Sequence, residues 1–199
     1  MTTGIVILAA GESARLGTPK QMLAYRGTTL LRHTINIALE VIGSPVIVVL
    51  GAHAAQVRAQ LNGLDVHIIE NPDWKSGMAG SVRVGLSTLL AVHPKIDAVL
   101  FLVCDQPLIS ASHLDNLIAT LVRTGAPVVA SEYEDALGVP ALFARALFPD
   151  LRALSGSKGA RQVIQAHRDQ AIGVPFEGGT VDIDTPADYA RLVESSDDI

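Results

Sequence analysis

The chain has 199 residues, 49% hydrophobic, 18% charged and 4% aromatic, which excludes a polymer too polar to bury a core. Against 20 Asp and Glu stand 15 Lys and Arg, a net charge of −5, which argues against a general nucleic-acid binder or a protein held on anionic membranes. Cys104 is the single cysteine, so an intramolecular disulfide is excluded, and the length suits one large domain.

Residues 4–9, 46–50, 66–69, 98–104 and 127–130 are short runs rich in Val, Ile and Leu without polar alternation. Such runs fit strands buried on both faces of a parallel sheet. Between them, residues 29–41, 54–61, 81–92 and 112–123 carry apolar residues at three- and four-residue spacing, the mark of helices with one buried face. The βαβα rhythm predicts an α/β domain with a doubly wound, mostly parallel sheet. The last third is less regular. Residues 138–144 contain Pro140, so an edge strand or an irregular segment is expected there rather than a central strand. Residues 156–166 read as a loop entering a helix and 180–184 as a short strand. Residues 186–193 read as a helix capped by Thr185 or Asp184, with Pro186 in its first turn. Residues 195–199 read as a frayed tail.

The run at residues 5–10 has no preceding Lys or Arg and is too short for a secretion signal, and no stretch approaches the length of a membrane span. A cytoplasmic protein without membrane attachment is the expectation. The histidines, 6 in all, are scattered, so zinc is not indicated.

Charge is unevenly distributed. Arg15, Lys20, Arg26 and Arg32 against Glu12 give residues 1–35 a net +3. Asp182, Asp184, Asp188, Glu194, Asp197 and Asp198 against Arg191 give residues 182–199 a net −5. The basic part holds a loop directly after the first predicted strand, running from Ala10-Gly11-Glu12-Ser13 through Arg15 and Gly17 to Lys20. In open α/β sheets ligands sit beyond the carboxyl ends of the strands, and the first such loop is the usual place. Small residues let backbone N–H groups approach phosphate oxygens, and Arg15 and Lys20 add charged donors. The spacing is neither a Walker A loop nor Gly-x-Gly-x-x-Gly, which weakens a dinucleotide oxidoreductase reading. A solvated surface loop is the plain alternative.

Leu8-Ala9-Ala10-Gly11-x-Ser13-x-Arg15-x-Gly17-x-x-Lys20 resembles the signature loop of nucleotidyltransferases that move a nucleoside monophosphate from a nucleoside triphosphate to a phosphorylated acceptor. Among these the chain is most similar to the molybdenum cofactor nucleotidyltransferases (MobA-like NTP transferases). The resemblance implies a Rossmann-like, three-layer domain of the nucleotide-diphospho-sugar transferase type. It places a nucleotide-binding half at about residues 1–110 and an acceptor-binding half at about 111–194. It also gives the triphosphate to Leu8, Ala9, Ala10, Gly11, Glu12 and Ser13, with Arg15 and Lys20 on its oxygens.

Asp105 directly follows the run at 98–104, at the strand end towards which the glycine loop also points. Asp182 and Asp184 flank Ile183, and alternation puts them on one face of the expected short strand. Two carboxylates from distant segments beside a triphosphate suit Mg²⁺, which takes few protein oxygens and fills its octahedron with phosphate and water. Capping of local turns is the alternative for each Asp. Cys104-Asp105-Gln106-Pro107 and Asp182-Ile183-Asp184-Thr185-Pro186 resemble the family motifs that hold magnesium. The resemblance thus implies Asp105 and Asp184 as metal ligands, Asp182 as a weaker third, and Lys20, Arg15 and Asp105 as the catalytic set.

Asn71-Pro72-x-Trp74-x-x-Gly77-Met78-x-Gly80-Ser81 is similar to the segment that lines the nucleotide base, with Asn71, Gly77 and Ser81 as candidates; Ser81 could equally cap its own helix. Ala9-Ala10-Gly11 and Asp105-Gln106-Pro107 resemble the cytidylyl branch, which implies CTP rather than GTP. The implied acceptor is a molybdopterin-type phosphorylated cofactor, and the implied recipient of the product a molybdenum hydroxylase. Ser157 and Val139 depart from the family pattern in the half that meets the acceptor, which leaves other acceptors open. A cofactor-delivery protein without catalysis is the rival in a different class.

Overall fold

A computed structural model of the chain describes residues 1–41, 44–134 and 136–196. Its strands are β1 (Thr3–Ala9), a short hairpin of β2 (Ala24–Tyr25) and β3 (Thr28–Thr29), β4 (Val46–Leu50), β5 (His67–Glu70), β6 (Ala98–Val103), β7 (Val128–Tyr133), β8 (Ala136–Ala144) and β9 (Ala171–Pro175). The helices are α1 (Leu30–Glu40), α2 (Ala54–Ala59), α3 (Met78–Val92), α4 (Ala111–Thr124), α5 (Phe148–Ala153), α6 (Arg161–Ala166) and α7 (Pro186–Ser196). Outside the hairpin the strands form one seven-stranded sheet in the order β5-β4-β1-β6-β8-β7-β9. Only β8 runs against its neighbours, antiparallel to both β6 and β7.

All of β1 is buried, because the sheet is covered on both faces. Ile5 and Ile7 point to one side and pack with Leu31 and Ile35 of α1 and Leu114 and Leu117 of α4. Val6 and Leu8 point to the other and pack with Val82 and Leu86 of α3 and Leu151 of α5. That two-sided burial explains why the central strands lack polar alternation. Helix α3 lies so close to the sheet that a Cβ on Gly85 would come within 2.4 Å of Val6 Cγ1, so glycine is required at that crossing. The first turns of α1 and α4 are capped by the Thr29 and Ser110 hydroxyls, which accept from Arg32 N–H and His113 N–H.

Four expectations are corrected. Residues 138–144 form most of β8, a central strand. Gly138 pairs with Ser131 and Ala141 with Ala130, so Val139 and Pro140 fall in a register break where the missing proline N–H interrupts no ladder bond. Residues 180–184 are not a strand: a 3₁₀ turn covers Glu177–Thr180 and an irregular segment follows. The predicted tail at 195–199 is too long, since α7 continues through Ser196; residues 197–199 lie outside the described residues. The predicted helix start at Ser81 is late, because α3 begins at Met78. Among the described residues no helix is long and apolar enough to cross a membrane.

The register break in β8 is tied from below. Ser131 Oγ donates to the Pro140 carbonyl at 2.7 Å, and His113 Nε2 lies 2.8 Å from the same Oγ. With the hydroxyl proton spent on Pro140, His113 must donate from Nε2, which fixes its tautomer. The imidazole stacks on Phe176 with ring centroids 4.5 Å apart, and burial lowers its pKa. It therefore takes up a proton at lower pH in the folded protein than in the unfolded chain, where it protonates near its ordinary value of about 6.5. Its contribution to stability is full above that pH and shrinks as pH falls below it, because the unfolded chain then binds the extra proton. The loss of unfolding free energy between pH 7 and pH 5, read from urea denaturation, is accordingly smaller in His113→Gln than in the wild type. Equal losses would contradict this account.

Candidate active site

The loop after β1 folds back on itself. Ser13 has φ 58°, a left-handed conformation for a residue with a side chain, and its carbonyl accepts from Leu16 N–H at 3.0 Å and Gly17 N–H at 3.2 Å. Its hydroxyl accepts from the N–H of Lys20 at 3.1 Å, at the start of a 3₁₀ turn. Gln21, only 2% exposed, donates from Nε2 to the carbonyls of Ala9 at 2.9 Å and Gly11 at 3.0 Å. It thus staples the loop to the end of β1. Its Oε1 is buried without a partner, at the edge of the cavity described below. From outside, Ala52 N–H donates to the Ala10 carbonyl and His53 Nε2 to the Glu12 carbonyl, each at 3.1 Å. Sequence reasoning missed Gln21, since a lone glutamine between Lys20 and Met22 carries no signal of burial.

The acidic side is assembled from two distant segments. Asp105 stands two residues beyond β6. Ile183 N–H donates to the Asp105 carbonyl at 3.0 Å, and the Ile183 side chain is fully buried with Tyr25 and Leu30. Tyr189 Oη donates to the Ala24 carbonyl at 2.8 Å, so the C-terminal segment is tied to the hairpin that follows the glycine loop. These contacts bring Asp184 to the loop. Lys20 Nζ donates to Asp105 Oδ2 at 2.9 Å and to Asp184 Oδ1 at 2.7 Å, while Arg15 Nη2 donates to Asp184 Oδ2 at 2.7 Å.

The electrostatics follow from this geometry. Burial alone would lower the Lys20 pKa, but the carboxylates of Asp105 and Asp184 outweigh it and raise the ammonium to about 12. The bond from Lys20, reinforced by the charges of Lys20 and Arg15, holds the Asp184 carboxyl below the usual range. Asp182 is pushed up to about 6, by loss of water first and then by the negative charge of Asp105 and Asp184. Burial pushes the neighbouring Cys104 thiol up to about 12, so it stays protonated and is no nucleophile at neutral pH.

Asp188, counted so far only in the charge of the C-terminal stretch, has a definite task. Its Oδ2 accepts from the N–H groups of Asp184 at 3.2 Å and Thr185 at 2.8 Å, and from the Thr185 hydroxyl at 2.8 Å. Asp188 N–H donates back to Thr185 Oγ1 at 3.2 Å. This reciprocal pattern is a capping box at the start of α7; it makes Thr185 the cap and leaves the Asp184 carboxylate free to face the loop.

A cavity of about 420 Å³ opens over this cluster, lined by Leu8, Ala9, Gly11 and Ser13 together with the Arg15, Lys20, Asp105 and Asp184 side chains. A smaller one of about 150 Å³ adjoins it, lined by Ala10, Trp74, Gly77, Met78 and Ser81. Of the expected nucleotide residues, Glu12 lines neither. Asn71 is buried and engaged internally: its Nδ2 donates to Ser81 Oγ at 3.1 Å and its Oδ1 accepts from Asp73 N–H at 3.1 Å. Asn71 and Ser81 therefore shape the segment at 71–77 from within, and Ser81 lies past the first turn of α3 rather than capping it.

Among the described residues no three His, Cys, Asp or Glu side chains converge in a metal-ligand group. Asp105 and Asp184 nevertheless share one cation, the Lys20 ammonium, with the under-neutralised Asp182 beside them. That donor set fits a hard divalent ion completed by phosphate oxygens and water, and does not fit zinc.

A glycine loop after a parallel strand, paired cations, and facing carboxylates from the end of β6 and the start of α7 fit an enzyme of nucleotide-dependent phosphoryl transfer. The chain belongs to the family of the MobA-like NTP transferase domain, which matches residues 5–171, and it is a nucleotidyltransferase. It is similar to Rv0371c of Mycobacterium tuberculosis H37Rv, at 36% identity and a TM-score of 0.81 over 98% of both chains. A structure of Rv0371c in complex with manganese aligns with a TM-score of 0.78, at 33% identity over 98% of this chain and 100% of that one. The purine catabolism protein PucB of Bacillus subtilis (strain 168) is 30% identical over 92% of each chain. Nicotine blue oxidoreductase of Paenarthrobacter nicotinovorans is 38% identical over 116 residues, 58% of this chain and 55% of that protein, so the match spans about half its length.

Removing the shared cation tests the electrostatics of the cluster. In Lys20→Ala the Asp184 carboxyl titrates at higher pH than in the wild type, followed by ¹³C NMR of the side-chain carboxyl; an unmoved titration would contradict the ion pair.

Proposed function

We propose that the chain is a magnesium-dependent cytidylyltransferase that moves CMP from CTP to the terminal phosphate of molybdenum-molybdopterin cofactor and releases pyrophosphate. The observation that carries this reading is the Lys20 ammonium, 2.9 Å from Asp105 and 2.7 Å from Asp184, beside a loop able to take a triphosphate. The loop N–H groups and Arg15 bind the triphosphate, and Lys20 neutralises charge on it. Asp105 and Asp184 would hold the divalent ion, whose positive charge lets one anion approach another. The manganese complex of Rv0371c supports a divalent metal in this family fold. The acceptor oxygen forms a new bond to the α-phosphorus while the bond to the β-phosphate bridging oxygen breaks, and pyrophosphate leaves in line. A phosphate nucleophile is already anionic at neutral pH and needs no general base. Catalysis is therefore positioning and charge neutralisation.

For the base, a pyrimidine suits a cavity of about 150 Å³ that Ala10 helps to line. Ala10→Gly widens that cavity and raises the use of GTP relative to CTP. An oxidoreductase, the activity in the name of the Paenarthrobacter relative, is the rival from another class. The cation shared by two carboxylates supports transfer instead.

Pyrophosphate release with purified cofactor, measured with CTP and with GTP, tests the reading. CTP is expected to be the better donor, and Lys20→Ala to lower kcat about 10²- to 10³-fold. Turnover that survives Asp105→Ala would overturn the metal assignment, and saturable CTP binding without pyrophosphate would make the chain a binding module.

A further inference from the structure

A second cavity of about 420 Å³ lies beside the triphosphate cavity and shares three of its walls, Leu8, Met78 and Val103. Its remaining walls come from the second half of the chain: Val139 at the register break of β8, Ser157 and Lys158 from the loop before α6, and Arg161 and Gln165 from α6. Among the described residues no carboxylate lines it. Among the described residues neither Lys158 nor Arg161 has an ion-pair partner, in contrast to Lys20, Arg15 and Arg191. Ser157 and Gln165 add neutral donors. Two unpaired cations on an otherwise apolar wall attract an anion attached to an apolar body. The wall is also firm. Val139 precedes Pro140, whose carbonyl is held by Ser131 and, through it, by His113. Gly159 has φ 55°, and a Cβ there would come within 2.8 Å of Met78 Cγ and Sδ, so the loop carrying Lys158 packs directly on the residue shared by both cavities.

The proposed transfer sets an electrostatic problem that the Lys20 cluster cannot solve alone. A phosphate must be brought against a triphosphate while Lys20 and Arg15 are engaged with the latter. Resting on that reading, we infer that Lys158 and Arg161 form a separate clamp for the acceptor phosphate, with Val139 and Met78 against its apolar part. They bind substrate and take no part in bond breaking, so their loss weakens acceptor binding and leaves CTP binding intact.

Inorganic phosphate is the probe, titrated calorimetrically into two proteins. One is the wild type saturated with CTP and Mg²⁺. The other is the Arg15→Ala/Lys20→Ala double variant without nucleotide, in which only the second cavity retains its cations. One phosphate is expected to bind in both, weakened about tenfold by Lys158→Ala or by Arg161→Ala. Ser157→Asp weakens it further by placing a like charge in the wall. CTP affinity, measured separately, stays within about twofold in the Lys158 and Arg161 variants. Acetate, a monoanion, binds more weakly than phosphate. Phosphate binding that is absent from both proteins, or indifferent to Lys158 and Arg161, overturns the clamp; acetate binding more tightly than phosphate overturns the phosphate assignment. Failure of CTP to bind the wild type would instead overturn the transferase reading, and the nucleotide-free titration would still decide the clamp.

Discussion

One ammonium between two carboxylates governs the architecture of the site. Lys20 is 85 residues from Asp105 and 164 from Asp184, and three separate parts of the chain must converge for the contact to exist. The glycine loop is stapled to β1 by Gln21, Asp105 is placed by the end of β6, and Asp184 is delivered by Ile183 and held by the capping box of α7. Stability does not account for this effort. Lys20 and Asp105 are only 13% and 26% exposed, so their attraction is offset by the water both groups give up, and the outer Arg15–Asp184 pair, 70% and 36% exposed, is worth about 0–1 kcal/mol. A cluster drawn from three distant segments and adding little stability fits the proposed handling of a triphosphate.

The sheet divides the labour. Its parallel part, β5-β4-β1-β6, points strand ends at one edge and gathers the loop and Asp105 there. Beyond β6 the antiparallel β8 turns the chain back, and its register break at Val139–Pro140 forms a wall of the neighbouring cavity. Leu8, Met78 and Val103 stand on the boundary between the two spaces. Met78, 44% exposed, lies where the proposed nucleotide and acceptor would meet.

The central strands were legible in the sequence because burial on both faces writes itself as an unbroken apolar run. The loop's place was legible because Gly11, Arg15, Gly17 and Lys20 follow directly on such a run. Residues 138–144 misled because proline usually excludes a central strand; here the bulge absorbs it, and a bulge has no local signature. Asp182-Ile183-Asp184 alternates like a strand, but Ile183 is buried by long-range packing on Tyr25 and Leu30 rather than by a ladder. Gln21 was invisible because it acts through backbone groups that only the fold brings near, whereas the task of Asp188 was open to reading in the local pattern Thr185-Pro186-Ala187-Asp188. The −5 charge of the C-terminal stretch also resolves into parts. Asp184 faces the loop, Asp182 lines a separate cavity yet feels the charge of Asp105 and Asp184, and Asp188 serves the capping box and pairs with Arg191.

In the proposed reaction Asp105 and Asp184, joined through Lys20, would exchange that partner for a divalent cation when a triphosphate arrives. The direct measurement is anomalous diffraction from a crystal of the protein with Mn²⁺ and a non-hydrolysable CTP analogue. The account predicts one manganese peak bonded to both Asp105 and Asp184, with Lys20 and Arg15 on the triphosphate. A manganese bound elsewhere, with Lys20 still bridging the two carboxylates, would contradict it.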